Sequence, residues 1–182
     1  MKSLIVFGIL SIPILLVSWR TLFNIRSHGF YRFFSWECIL WLFASNYPIW
    51  FDNPFSVHQI FSWILLISSI YPVVAGTLQL KKSGKPTESR EEKTLYDFEK
   101  TSELVDNGIY KYIRHPLYTS LIILSWGIFL KNINGQLFLI TMLSTIFLYI
   151  TARFDEKECI QYFGIRYLEY MKRSKRFIPF LI

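Results

Sequence analysis

Between Pro116 and Ala152 the chain reads PLYTSLIILSWGIFL (116–130), KNING (131–135), QLFLITMLSTIFLYITA (136–152). Two apolar blocks, each about a helix's worth of chain, are separated by a connector of five residues. A connector that short forces antiparallel neighbours. Blocks this apolar and this free of charge read as membrane-crossing helices rather than as one stripe of a soluble bundle. Working outward, three further blocks of the same kind precede them, at about Leu4–Trp19, Trp36–Phe51 and Val57–Leu80. The expected fold is therefore all-α, a polytopic membrane protein of about five transmembrane helices forming a single domain over 1–182. Some blocks fall short of a perpendicular span, which calls for short or tilted helices. Pro13, Pro48 and Pro72 lie inside blocks, where neighbouring groups in a membrane bundle can satisfy the freed carbonyls.

Composition agrees. Hydrophobic residues make up 52% of the 182 residues and aromatics 19%, more than a soluble core of this size can bury. The net charge of +7 does not point to nucleic acid, because the basic residues lie between the apolar blocks. Eighteen of the twenty Lys and Arg fall in three regions: Arg20–Arg32, Lys81–Arg114 and Arg153–Arg176. Five helices put all three on one side, which the positive-inside rule makes cytoplasmic, with the N-terminus outside and the C-terminus inside. Cys38 and Cys159 have no metal-ligand spacing and read as reduced structural thiols. Met1-Lys2 and the run after it lack a small-x-small cleavage site, so an uncleaved first helix is expected.

Outside the blocks, about 81–115 and 153–182 form the cytoplasmic elements. Ser83-Gly84-Lys85-Pro86 reads as a turn and Glu88–Leu104 either as a solvated linker or as a short surface helix. After Arg153 the chain reads as a basic, aromatic helix interrupted near Gly164, with Tyr162, Phe163, Tyr167 and Tyr170 at headgroup level. His28 and His58 read as interfacial. No Gly-x-Gly occurs, so neither a Rossmann fingerprint nor a P-loop is present.

Two stretches carry candidate chemistry. In Gly108-Ile109-Tyr110-Lys111-Tyr112-Ile113-Arg114-His115-Pro116-Leu117-Tyr118, Gly108 ends one element and Pro116 suits the first turn of the next helix. Arg114 and His115 then lie at the boundary beside that helix's positive end. In Arg153-Phe154-Asp155-Glu156-Lys157-Glu158, three acids beside a membrane surface need partners, and Arg153 and Glu156 share a helix face. The short connector brings the two stretches together.

Gly-x-Tyr, then Arg-His-Pro-x-Tyr, then an acidic pair about forty residues on resembles the isoprenylcysteine carboxyl methyltransferases and related phospholipid methyltransferases. Phe163-Gly164, Tyr167, Tyr170 and Arg176-Phe177-Ile178-Pro179 extend the resemblance, which covers roughly Ser102 to Pro179. It implies a membrane enzyme holding S-adenosylmethionine near the cytoplasmic surface. Carried over by motif, the cofactor residues are Ser102, Glu103, Leu104, Val105, Tyr110, His115, Pro116, Leu117, Tyr118 and Asp155. Arg153 and Glu156 take the catalytic roles, with Arg153 orienting the acceptor, and no metal is implied. This chain departs from the family pattern at Ser120, usually Gly; at Asp155-Glu156, usually Glu-Glu; and at Thr151, where the eukaryotic enzymes place the key arginine. The implied acceptor is lipid-like, such as an isoprenylcysteine carboxylate. Other readings are phospholipid amine N-methylation, an NADPH-dependent sterol-type reductase, and a non-enzymatic membrane scaffold or transport subunit.

Overall fold

The structure, a computed structural model, describes residues 2–85 and 100–180. Within them every regular element is helical: α1 (Lys2–Ser18), α2 (His28–Asn46), α3 (Val57–Ser68), α4 (Ile70–Ser83), α5 (Pro116–Phe129), α6 (Gly135–Phe163) and α7 (Ile165–Arg173), with 3-10 turns at Tyr47–Ile49 and Gly108–Lys111. The stretch Glu88–Leu104, expected as linker or short helix, lies mostly outside the described residues, and its last residues are not helical.

Local chemistry accounts for several boundaries. Ser27 caps α2 by accepting from the Gly29 amide, and Asn134 caps α6 by accepting from the Leu137 amide at 2.9 Å. Pro116 opens α5, where its missing N–H costs nothing. Gly164 ends α6 at φ +62, ψ −136, a conformation that a side chain strongly disfavours, and the chain turns there into α7.

Three expected helices differ from those observed. The second begins at His28 rather than Trp36 and stops at Asn46, giving way to a 3-10 turn at Pro48. The third is broken at Ser69 into α3 and α4, just before Pro72, whose ring removes the amide that would bond back to Ser68. The fifth does not stop at Ala152 but continues to Phe163. Val57–Ser83 and Gly135–Phe163 are long and apolar enough to cross a membrane; Lys2–Ser18 and Pro116–Phe129 are apolar but shorter.

The packing places small polar side chains inside and large apolar ones outside. Ser35, Asn46, Ser62, Ser125, Thr141, Ser144 and Thr151 are fully buried, while Leu16, Ile64, Ile67, Tyr71 and Leu139 face outward. The buried hydroxyls and amides tie helices together. Ser35 meets Ser144 at 3.1 Å, Ser62 donates to the Gly127 carbonyl at 2.7 Å, Ser120 to the Ser69 carbonyl at 2.7 Å, and Asn46 to the Ile128 carbonyl at 3.2 Å. Small residues and interhelical hydrogen bonds are how helices associate where the surroundings are as apolar as leucine. α2 packs most extensively on α6, and α5 lies against α3, α4 and α6. Gly76 lets α4 approach the start of α5, since a Cβ there would stand 2.8 Å from Leu117 and 2.9 Å from Pro116.

Candidate active site

At the N-terminal end of α5 a half-open cleft, with about 680 Å³ of empty space counting the solvent at its mouth, lies between the end of α4, the segment before the 3-10 turn, the 114–118 stretch, α6 and α7. Its walls include Leu104, Val105, Tyr110, His115, Pro116, Leu117, Tyr118 and Asp155, so eight of the residues singled out from the sequence face one space. The four others do not line it. Ser102 donates to the Lys85 carbonyl at 2.8 Å and Glu103 pairs with Lys85 Nζ at 2.6 Å, which fastens this segment to the end of α4. Arg153 is exposed, and Glu156 is buried behind the wall.

Asp155 is the carboxylate that faces the cleft. Tyr118 donates its hydroxyl to Asp155 Oδ2 at 3.1 Å, His115 Nδ1 stands 3.4 Å from the same oxygen, and Cys159 Sγ lies 3.6 Å from Oδ1. The His115 ring stacks on Tyr118, with centroids 5.4 Å apart, and its Nε2 is enclosed without a hydrogen-bond partner, 3.4 Å from Glu156 Oε1. Burial pushes the His115 pKa down, but the carboxylates of Asp155 and Glu156 outweigh it and hold the imidazole above its ordinary 6.5.

Glu156 does not pair with Arg153, the partner its helical spacing suggests. It is held instead by Arg114 and Arg176. Two residues further along α6, Glu158 Oε2 meets His28 Nδ1 at 2.6 Å, and its Oε1 accepts the His28 amide at 3.0 Å. His28 is therefore fully buried, a tie between the start of α2 and α6.

Tyr167 and Tyr170 do not face outward; they are 4% and 2% exposed and line the cleft, and Tyr170 donates to the Tyr110 carbonyl at 2.7 Å. Burial raises the pKa of both phenols, so they remain neutral donors. Leu80, Thr101, Arg114, Cys159 and Phe163 complete the lining. The sequence held a usable signal for part of this set. Asp155, Cys159 and Phe163 repeat every four residues, and Tyr167 and Tyr170 are three apart, so each set shares one helix face.

The stretches that build the cleft lie largely within a match to known proteins. A family profile described as phospholipid methyltransferase matches residues 57–164, more than half of the chain. The chain belongs to the phospholipid methyltransferase family. Among its relatives, methanethiol S-methyltransferase 1 of Bradyrhizobium diazoefficiens is 30% identical over 71 residues, covering 39% of this chain and 24% of that protein. Methanethiol S-methyltransferase of Pseudomonas deceptionensis is 30% identical over 73 residues, 40% of this chain and 27% of that one. Protein-S-isoprenylcysteine O-methyltransferase of Saccharomyces cerevisiae is 34% identical over 86 residues, 43% of this chain and 33% of the yeast protein. The chain thus matches these members of the family over a quarter to a third of their length. No solved structure matches it.

Proposed function

We propose that this protein is an integral membrane methyltransferase that uses S-adenosylmethionine and methylates a lipid-like acceptor, such as an isoprenylcysteine carboxylate. The observation that carries the reading is the cleft itself: one carboxylate, Asp155, set among aromatic rings, in a chain whose named relatives all transfer methyl groups. The donor set suits the proposed cofactor. Its cationic sulfonium and flat adenine match aromatic faces, here Tyr110, Tyr118, Phe163, Tyr167 and Tyr170. Asp155 supplies an acceptor for its polar groups, and the enclosed His115 Nε2 leaves one further polar atom unmatched. When bound, S-adenosylmethionine supplies an electrophilic methyl group.

The chain's own residues then align the reactants and exclude water. Tyr118 and His115 fix the Asp155 carboxylate and Leu104, Val105 and Leu117 keep the cleft dry; Arg153, exposed and outside the cleft lining, is the residue proposed to orient an anionic acceptor group. A separate open apolar groove, walled by Trp36, Phe43, Trp50, Trp63, Leu124 and Ile128 among others, favours an acceptor with an apolar tail. The outward-facing apolar surface supports a membrane protein, and the charge pattern of the sequence favours five spans with the basic regions and the cleft on the cytoplasmic side.

Two of the named relatives are methanethiol S-methyltransferases, which favours a small thiol as the second reading of the acceptor. The deciding experiment incubates purified protein with labelled S-adenosylmethionine and, separately, a prenylcysteine analogue, methanethiol and membrane lipids. Label in the prenylcysteine ester is expected. Label only in dimethyl sulfide moves the acceptor to a thiol, and label in none removes the methyltransferase reading. Thermal shift with NADPH in place of the methyl donor discriminates against a reductase.

A further inference from the structure

Glu156 lies against the cleft without lining it, and both of its oxygens are taken. Arg114 brings Nε to 2.9 Å and Nη2 to 2.8 Å of Oε1; Arg176 brings Nε to 3.1 Å of Oε1 and Nη2 to 2.7 Å of Oε2. The three side chains are largely withdrawn from solvent, at 5% exposure for Glu156, 7% for Arg114 and 17% for Arg176. The two guanidiniums come from distant parts of the chain, the loop before α5 and the segment after α7. Those segments also pair through their main chains. The Arg114 amide donates to the Lys175 carbonyl at 2.7 Å, the Lys175 amide to Tyr112 at 3.0 Å, and the His115 amide to Arg176 at 3.2 Å. Thr119 adds a hydroxyl bond to the Phe177 carbonyl at 3.1 Å, and Arg114 donates to the Ser174 carbonyl.

A carboxylate this buried is stable only because charge-assisted bonds replace its water, and losing one partner leaves the others imperfectly compensated. An acid that takes protons needs a lone pair within reach of the substrate. Glu156 does not line the cleft, yet Arg114, which it pairs with, and His115, whose Nε2 stands 3.4 Å from its Oε1, do face the cleft. We infer that Glu156 and Arg176 are positioning residues: they clamp the segment after α7 onto the 112–115 stretch and so set the Arg114 and His115 side chains in the cleft wall. This rests on the donor-binding reading of the cleft for its consequence, but the clamp itself can be tested without a donor.

The experiment uses the full chain in detergent with Glu156→Gln, Arg176→Gln, their double variant and Arg176→Lys. Hydrogen exchange of the 112–116 and 174–177 amides reads the clamp, and calorimetry with S-adenosylmethionine reads the cleft. Each Gln variant is expected to speed exchange in those two segments while α2 and α5 keep their protection. Each should also weaken donor binding about tenfold, the lower end of the loss when a partner supporting a binding group is removed. The double variant should lose little more than the worse single one, because both act through one contact. Arg176→Lys, which keeps the charge but not the fork, should fall between. Wild-type exchange and donor affinity in Arg176→Gln and Arg176→Lys would overturn the inference. So would a Glu156→Gln variant that loses turnover with donor affinity and exchange unchanged, since that is the signature of a proton acceptor. If the Gln variants do not fold, Arg176→Lys decides alone by the same two readings. A wild-type protein that binds no donor would remove the proposed function, while exchange would still decide the clamp.

Discussion

The two ends of α5 bury charge in different ways. At its start, Arg114, His115, Asp155, Glu156 and Arg176 meet as opposites, joined close by by the pair His28 and Glu158. Just past its other end the buried ammonium of Lys131 is held by neutral groups: Gln59 Oε1 at 2.9 Å, with the rings of Trp63 and Trp50 at 3.4 and 5.2 Å from their centroids. Gln59 returns a bond to the Lys131 carbonyl at 3.2 Å. The difference lies in what surrounds the charge. Opposed charges at the start of α5 border empty space and can be shared with a ligand. The Lys131 cation is consumed by its own cage, so it latches α3 to the end of α5.

If that contrast holds, substitutions at the two ends must separate binding from stability. The largest effect is expected from Asp155→Asn, which removes the carboxylate facing the cleft. Charge-assisted bonds of this kind contribute about 1.5–3 kcal/mol, so affinity for S-adenosylmethionine in calorimetry should fall roughly 10- to 100-fold. Lys131→Met should do the reverse, costing about 2 kcal/mol of stability through the lost cation–π contact, with donor affinity unchanged. Denaturation in mild detergent measures it, and a large loss of donor binding would break the separation. Gly164→Ala should cost about 1–2 kcal/mol, entirely from the backbone, because nothing stands within 4 Å of the added Cβ at φ +62.

The smallest expected effect is a pH dependence confined to the cleft end. His115 and His28 both have pKa values raised above 6.5, His115 by Asp155 and Glu156 and His28 by Glu158, in each case against burial, which lowers them. A raised pKa means stability that is fully present below 6.5 and lost as pH rises through the folded-state value. The thermal midpoint should therefore decline from weakly acid to alkaline pH. His115→Gln should reduce that slope and the double variant with His28→Gln should flatten it further, whereas Lys131→Met should leave it as it is.

Much of this was legible in the chain. The starts at Val57, Pro116 and Gly135 are fixed by local signals, the Pro and Asn caps among them, and were expected to within a residue. The start of α2 was not, because hydropathy stops where charge begins while the backbone hydrogen bonding does not; α6 likewise runs unbroken from its apolar block into the helix expected after Arg153 and ends at Gly164, where the interruption was expected. Arg32 and Arg153 fall outside the apolar blocks but inside helices. In the site, the meeting of His115 with Asp155 follows from the short connector between α5 and α6. The engagement of Arg176 with Glu156 depends on a long-range return of the chain after α7, which helical spacing cannot register. Spacing suggested Arg153 instead, and the packing of α7 on Val105 and Tyr110 buries Tyr167 and Tyr170, whose composition reads as interfacial.

The central claim is that the cleft beside Asp155 binds the methyl donor. Calorimetric titration of the purified full chain with S-adenosylmethionine tests it most directly, with Asp155→Asn titrated alongside. The account predicts saturable, single-site binding to the wild type and a loss of roughly tenfold or more in the variant. Absence of binding to a folded wild-type protein, or equal affinity in both, would contradict it.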